Sequence, residues 1–298
     1  MLKKTFQKNG ITFVEMPVDL FKVVWLDRNK NDGAQVTYHG NYANANFFAY
    51  YDEGGVSFRL PVAHLKCDIF PGFQLHAQED HYMHERGKIE GDKFTFDSGT
   101  WEYQNPFYQK KVSTLFIRNH KAFVRDEAYL DNYQDCDYII SGVPVLRYGN
   151  DVKCYDYVLP QGWGEDTLRP ALHVFVGIKK DNADTIYVMY YQSTSNNLIY
   201  GMEFYNKVKD LGFYDILKLD GGGSFIFRCP DLGVSKSSGG VRIIDGVLTF
   251  DELAEKAEIN VDEINTRINK LRERIADAAK SLAAMSDELD LLKKLIDK

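Results

Sequence analysis

Tyr214-Asp215-Ile216-Leu217-Lys218-Leu219-Asp220-Gly221-Gly222-Gly223-Ser224-Phe225-Ile226-Phe227 is the stretch on which the reading of this chain turns. Its first six residues are largely apolar and strand-forming, its last three are β-prone again, and three glycines lie between them. The glycines therefore mark a strand-to-strand turn. Glycine permits φ > 0 and the close approach of another chain or a ligand, and successive N–H groups in such a turn can form an anion-binding concavity beside the Asp220 carboxylate. An ordinary tight turn has the same composition, so the neighbouring segments have to decide.

Working outward, Ile11–Val14, Phe21–Leu26, Tyr138–Ile140, Val143–Leu146, Val174–Val176 and Thr185–Tyr191 read as strands. Met202, Phe204, Tyr205, Val208 and Leu211 recur at helical spacing, with Gly212 placed to cap the helix. Residues 70–100 hold Gly72, Gly87 and Gly91 among many charges and read as an insertion or extended hairpin. Pro230 to Gly240 reads as a loop, and Val241–Ile244 as the last strand. Many strands with one or two helices give an α+β domain, a mixed β-sheet core with few helices, over residues 1–248.

From residue 249 to 298 glycine and aromatics give way to Ala, Leu, Ile, Lys and Glu. Thr249-Phe250-Asp251-Glu252 and Asn260-Val261-Asp262-Glu263 have the pattern of capping boxes. Val261, Ile264, Ile268, Leu271, Ile275, Ala278, Leu282, Met285, Leu289, Leu292 and Ile296 then alternate spacings of three and four. That period predicts a C-terminal α-helical coiled coil and self-association through Val261 to Ile296. No polar residue interrupts the seam, and Ile and Leu are mixed over both core positions, so a parallel trimer is favoured over a dimer.

Composition narrows the function. The 298 residues can bury a large core, and 19 Tyr with 19 Phe favour sheets. A formal net charge of −7 argues against non-specific nucleic-acid or membrane-surface binding. The start, Met1 to Lys8, is basic but lacks the apolar run of an export signal, and Cys67, Cys136, Cys154 and Cys229 show no paired spacing. A protein made in the cytoplasm is expected.

A carboxylate beside a glycine turn suits a site that meets a phosphate, where charge must be neutralised and protons moved. Asp220 is the candidate for acid–base or metal-ligand duty, and Gly221, Gly222, Gly223 and Ser224 are candidates to meet a phosphate. Asn44 and Asn46 are amides in an otherwise apolar segment and need partners, from ligand or backbone. Glu203 opens the helix, where it can bond a sugar hydroxyl or favour the helix N-terminus. His76 to Glu85 gathers three histidines and three carboxylates, but at no zinc-like spacing. No cofactor is identified; a divalent metal is compatible with the acidic residues.

The order of segments resembles the phosphodiester glycosidase family. Asn44-Ala45-Asn46-Phe47-Phe48 is similar to its Asn-Gly-Gly-Phe-Phe segment, Ser141-Gly142-Val143-Pro144-Val145-Leu146 with Gly149 to its Gly-Gly-Pro-Val-Leu strand and turn, and Ala171 to Ile178 to its Pro-Arg-Thr-Ala-Ile-Gly strand. The Asp-Gly-Gly-Gly-Ser turn after Leu211-Gly212 is the most specific part. The resemblance spans residues 35 to 245 and is densest from 169 to 228. It implies hydrolysis of a sugar-1-phosphodiester at Asp220, with Asn44 in the site. Ala45 and Asn46 replace two glycines, and His173 stands where arginine is usual, with Arg169 four residues upstream. His173 can act as acid, base or cation. Three readings follow: an oligomeric, phage-encoded hydrolase of cell-wall glycopolymers; a virion structural or receptor-binding protein that keeps the fold without catalysis; and a cytoplasmic phosphodiesterase acting on nucleotide signals.

Overall fold

The computed structural model describes residues 3–26, 40–45, 47–53, 56–61, 63–70, 73–76, 87–90, 93–96, 102–104, 110–127, 135–152, 157–164, 170–192, 200–238, 244 and 246–251. The chain divides into two compact units, Met1–Asp251 and Glu252–Lys298. The second unit, with its heptads, lies outside the described residues.

Strands dominate the first unit, and among the described residues there is one α-helix, Tyr200–Val208. Two large sheets carry the fold. The first has seven strands, in the order Lys4–Lys8, Ile11–Pro17, Asn182–Gln192, Leu172–Lys179, Phe213–Gly221, Val143–Arg147 and Asn150–Asp151. The second has ten, and its centre runs Tyr138–Ser141, Leu65–Phe70, Lys22–Leu26, Gly246–Thr249, Tyr42–Asn44, Ile226–Cys229. Within the charged 70–100 stretch, Phe73–His76 pairs with Leu65–Phe70, and Gly87–Glu90 and Lys93–Phe96 form a third sheet with Glu102–Gln104.

Alternation along the strands explains the layering. Val14, Met16, Val174, Val176, Leu217 and Leu219 of the first sheet pack in one core with Val23, Ala43, Leu65, Phe227 and Leu248 of the second, so the two sheets face each other. The opposite face of the first sheet offers Phe13, Phe175, Met189 and Ile216 to Phe204 and Val208 of the helix. That helix ends in a 3-10 turn, Lys209–Leu211, and Gly212 takes the left-handed conformation (φ 75°) expected of a C-terminal cap.

The chain around the glycines crosses between sheets. Phe213–Gly221 belongs to the seven-stranded sheet and Ile226–Cys229 to the ten-stranded one, with Gly222–Ser224 a 3-10 turn between them. Two expectations change here. Pro230 to Gly240 is not all loop, since Val234–Ser237 pairs with Ile226–Cys229. Among the described residues the last strand is Gly246–Thr249; of the expected strand Val241–Ile244 only Ile244 is described, and it is buried. The globular unit also reaches past residue 248. Phe250 is fully buried against Phe227, and the Asp251 carboxylate accepts from the Asn41 backbone N–H (2.6 Å) and side-chain amide (2.9 Å). Thr249-Phe250-Asp251 thus completes the sheet.

Candidate active site

Phe213–Gly221 brings Asp220 to its far end, half-buried. Three backbone and side-chain bonds fix it there. The Asp220 N–H donates to the Ala45 carbonyl (3.2 Å), the Asn44 side-chain amide donates to the Asp220 carbonyl, and Asn44 Oδ1 accepts from the Ile226 N–H (3.1 Å). Asn44 therefore bridges the chain just before and just after the glycines, from a strand of the other sheet. Its amide was expected to line the site. Instead it is buried (1% exposed) and engaged with backbone at both ends, which makes it a positioning residue.

Gly221 is glycine for a reason other than phosphate. It lies directly opposite His173, and a Cβ there would overlap the His173 ring and the Leu172 carbonyl. The imidazole, itself 5% exposed, thus packs over the Gly221 backbone beside Asp220. The Gly221 N–H, expected to face an anion, donates to Asp220 Oδ1 (2.7 Å) and so orients the carboxylate. Gly222 takes φ +59°, a conformation that a side chain would strain, and Gly223 is exposed. Ser224, expected at the phosphate, is fully buried, and its hydroxyl has no hydrogen-bond partner among the described residues. Ser238 closes the turn, with its N–H on the Phe225 carbonyl (3.0 Å) and its hydroxyl on the Gly223 carbonyl (3.3 Å).

Across neighbouring strands the same level carries a polar row. Tyr191 pairs with His173 and His173 with Gly221, and the Tyr191 hydroxyl donates to Glu203 at the start of the helix. Burial, and then Glu203, raise the Tyr191 pKa, so the phenol stays protonated as the donor. Glu203 is thereby tied to Tyr191, the cross-strand neighbour of His173.

One residue of the Phe213–Gly221 strand escaped the sequence reading. Lys218 is wholly buried, two residues before Asp220 and directly opposite both Phe175 and Val143. The strand is irregular between Lys218 and Gly221, since Phe175 pairs with Lys218 but His173, two residues before it, pairs with Gly221. A lysine between Leu217 and Leu219 was the signal available for it. Asn46 and Arg169 lie outside the described residues, as does the His76 to Glu85 cluster except the backbone of His76. Among the described residues, no three His, Cys, Asp or Glu side chains stand close enough to hold a metal ion.

At the opposite end of the strand a second polar group is buried. Arg147, 3% exposed, donates to Asp215 and stands 3.3 Å from Asp126 of the other sheet, whose carboxylate also accepts from Tyr157 and from Ser113 (2.6 Å). Burial opposes the guanidinium charge, yet the two carboxylates hold the Arg147 pKa above its ordinary value. Elsewhere, between Ser141 and Thr114, fully buried His64 has its pKa pushed down to about 4 by burial.

No family profile and no curated protein matches the sequence. Among solved structures, the chain is similar to the zebrafish N-acetylglucosamine-1-phosphodiester alpha-N-acetylglucosaminidase catalytic domain auto-inhibited by its pro-peptide, at 16% identity and TM-score 0.48, over 84% of this chain and 82% of that one. It is also similar to a hypothetical protein from Synechocystis (12%, TM-score 0.40, 83% of this chain and 61% of that one). A putative exported protein from Burkholderia pseudomallei gives 10% and TM-score 0.44, over 81% and 74% of the two chains.

Proposed function

We propose that the first unit is a hydrolase of the phosphodiester glycosidase type, acting on a sugar phosphate or related phosphodiester at the end of the Phe213–Gly221 strand. The observation that carries this reading is a half-buried carboxylate next to an imidazole packed over Gly221, with Asn44 fixing the backbone on both sides of the turn and a buried lysine, Lys218, two residues earlier on the same strand. Charges held at such a place act through a lower dielectric than water and need no reorganisation when charge develops. In this reading Lys218 neutralises the phosphate, and Asp220 moves the proton of the attacking or leaving oxygen. His173 shares that proton transfer, while Glu203, held by Tyr191, takes a sugar hydroxyl. Gly222 and Gly223 border the phosphate.

A second reading, binding without turnover, is favoured by the Gly221 N–H being taken by Asp220 itself. The second unit is proposed to self-associate through Val261 to Ile296, on the strength of its unbroken heptads. Linked copies on a polymeric surface would gain avidity without new contacts, which suits a cell-wall glycopolymer and a phage-encoded protein.

Turnover of UDP-GlcNAc, GlcNAc-1-phosphodiesters, teichoic-acid fragments and cyclic dinucleotides, with and without EDTA, tests the reading. Cleavage by the wild type that falls at least about 10²-fold in Asp220→Asn supports the hydrolase. Saturable binding without cleavage by folded wild type establishes the second reading instead.

A further inference from the structure

Among the described residues, three hairpins close with two-residue loops in which both residues have positive φ: Asn9-Gly10 (53°, 78°), Asn119-His120 (51°, 62°) and Tyr148-Gly149 (54°, 77°). The first loop position favours Asn, Asp or Gly, because a short side chain tolerates left-handed backbone and bulky ones do not. Two of the three loops obey this. The third places a tyrosine there, and Tyr148 is 54% exposed, an exposed large hydrophobic residue on a position that disfavours it twice over.

The ring is held rigidly. The Arg147 guanidinium lies 4.5 Å from its centroid and donates to its hydroxyl (3.2 Å), while the Tyr148 N–H donates to Asp215 (3.1 Å). Tyr214 meets it edge-on at 5.6 Å, and Lys180 stands 5.9 Å over the Tyr214 ring. Arg147 and Tyr214 account for the hydroxyl and part of the ring, and the rest is open. Strain and exposure together, on a side chain fixed by a buried ion pair, point to a contact made with something outside the chain.

We propose that Tyr148, with Tyr214, is a stacking platform for the pyranose ring of a glycan. A sugar's C–H face is apolar and matches a fixed aromatic ring, while its hydroxyls would meet the exposed Asn150 and Lys180 at the rim. Tyr214 and Asp220 are six residues apart on one strand, about 20 Å at roughly 3.3 Å per residue. No single sugar spans that distance, so the platform holds a neighbouring part of a polymer whose phosphodiester is cut at Asp220. To that extent the inference rests on the hydrolase reading; the stacking itself does not.

Calorimetric titration of the full chain with chitotetraose, cellotetraose and poly(glycerol phosphate) tests it. Tyr148→Asn is the variant of choice, because asparagine suits the turn and keeps the fold. The expected result is saturable binding of at least one tetrasaccharide, weakened at least tenfold in Tyr148→Asn. Equal binding by wild type and Tyr148→Asn overturns the proposal, as does binding of poly(glycerol phosphate) alone or of none of the three. Tyr148-dependent binding by a protein that cleaves nothing upholds the platform and sinks only the hydrolase.

Discussion

The two ends of the Phe213–Gly221 strand bury charge in opposite ways. At its start, Asp215 is 2% exposed and meets Arg147, which also reaches Asp126 across the sheet interface. At its end, Asp220 is half-buried and its carboxylate is oriented by the Gly221 N–H; His173 packs over Gly221, and Lys218 is buried two residues earlier. The first arrangement closes its charges on one another and staples two sheets. The second turns a carboxylate toward the surface and fixes everything behind it, which is what a site needs and a staple does not.

Cutting the staple should give the largest stability loss. Arg147→Met leaves Asp215 and Asp126 without their cation in the interior, and about 3–5 kcal/mol should be lost in urea titrations. Loss of less than about 1 kcal/mol would show that solvent reaches the pair and that the first end is no staple.

Acid tests a third buried group that belongs to neither end. His64 ordinarily titrates near 6.5 and here near 4, so the native state disfavours its proton. Its contribution is present above pH 6.5 and is lost as pH falls toward 4, about 3 kcal/mol in all. Urea midpoints of wild type and His64→Gln across pH 4 to 7 check this; the variant should lack that part of the slope. A parallel pair of curves would contradict it.

Gly221→Ala drives a methyl into the His173 ring and the Leu172 carbonyl. A stability loss of about 1–3 kcal/mol and loss of turnover are expected together. Asn44→Ala frees the Asp220 carbonyl and the Ile226 N–H at once, for about 1–2 kcal/mol, and should lower turnover without moving its pH optimum, because the amide positions the turn and takes no proton. The smallest effect belongs to the exposed Lys121–Asp184 pair: Lys121→Ala should shift stability by less than about 0.5 kcal/mol and leave turnover unchanged.

The strand, the glycine turn and the helix with its Gly212 cap were legible in the sequence because periodicity and glycine placement are local. His173 pairs with Gly221, the neighbour of Asp220, although what each glycine does was not readable. Whether an N–H faces a ligand or its own neighbour's carboxylate depends on a side-chain torsion, and Gly221 proves to make room for an imidazole two strands' worth of chain away. Asn44 looked like a ligand residue because its partners, Asp220 and Ile226, are about 180 positions distant. Lys218 was missed because a lone lysine in an apolar strand usually reaches solvent, and only the sheet pairing with Phe175 and Val143 reveals that this one does not.

The most direct test compares two buried cations on one strand pair. Lys218→Met and Arg147→Met would be measured side by side, for urea midpoint and for turnover of the sugar-phosphodiester panel per folded molecule. The account predicts that Lys218→Met loses at least about 10²-fold in turnover with a smaller stability loss than Arg147→Met, which keeps near wild-type turnover in its folded fraction. Full turnover in folded Lys218→Met, with a stability loss matching that of Arg147→Met, would make both ends staples and contradict the assignment of the site.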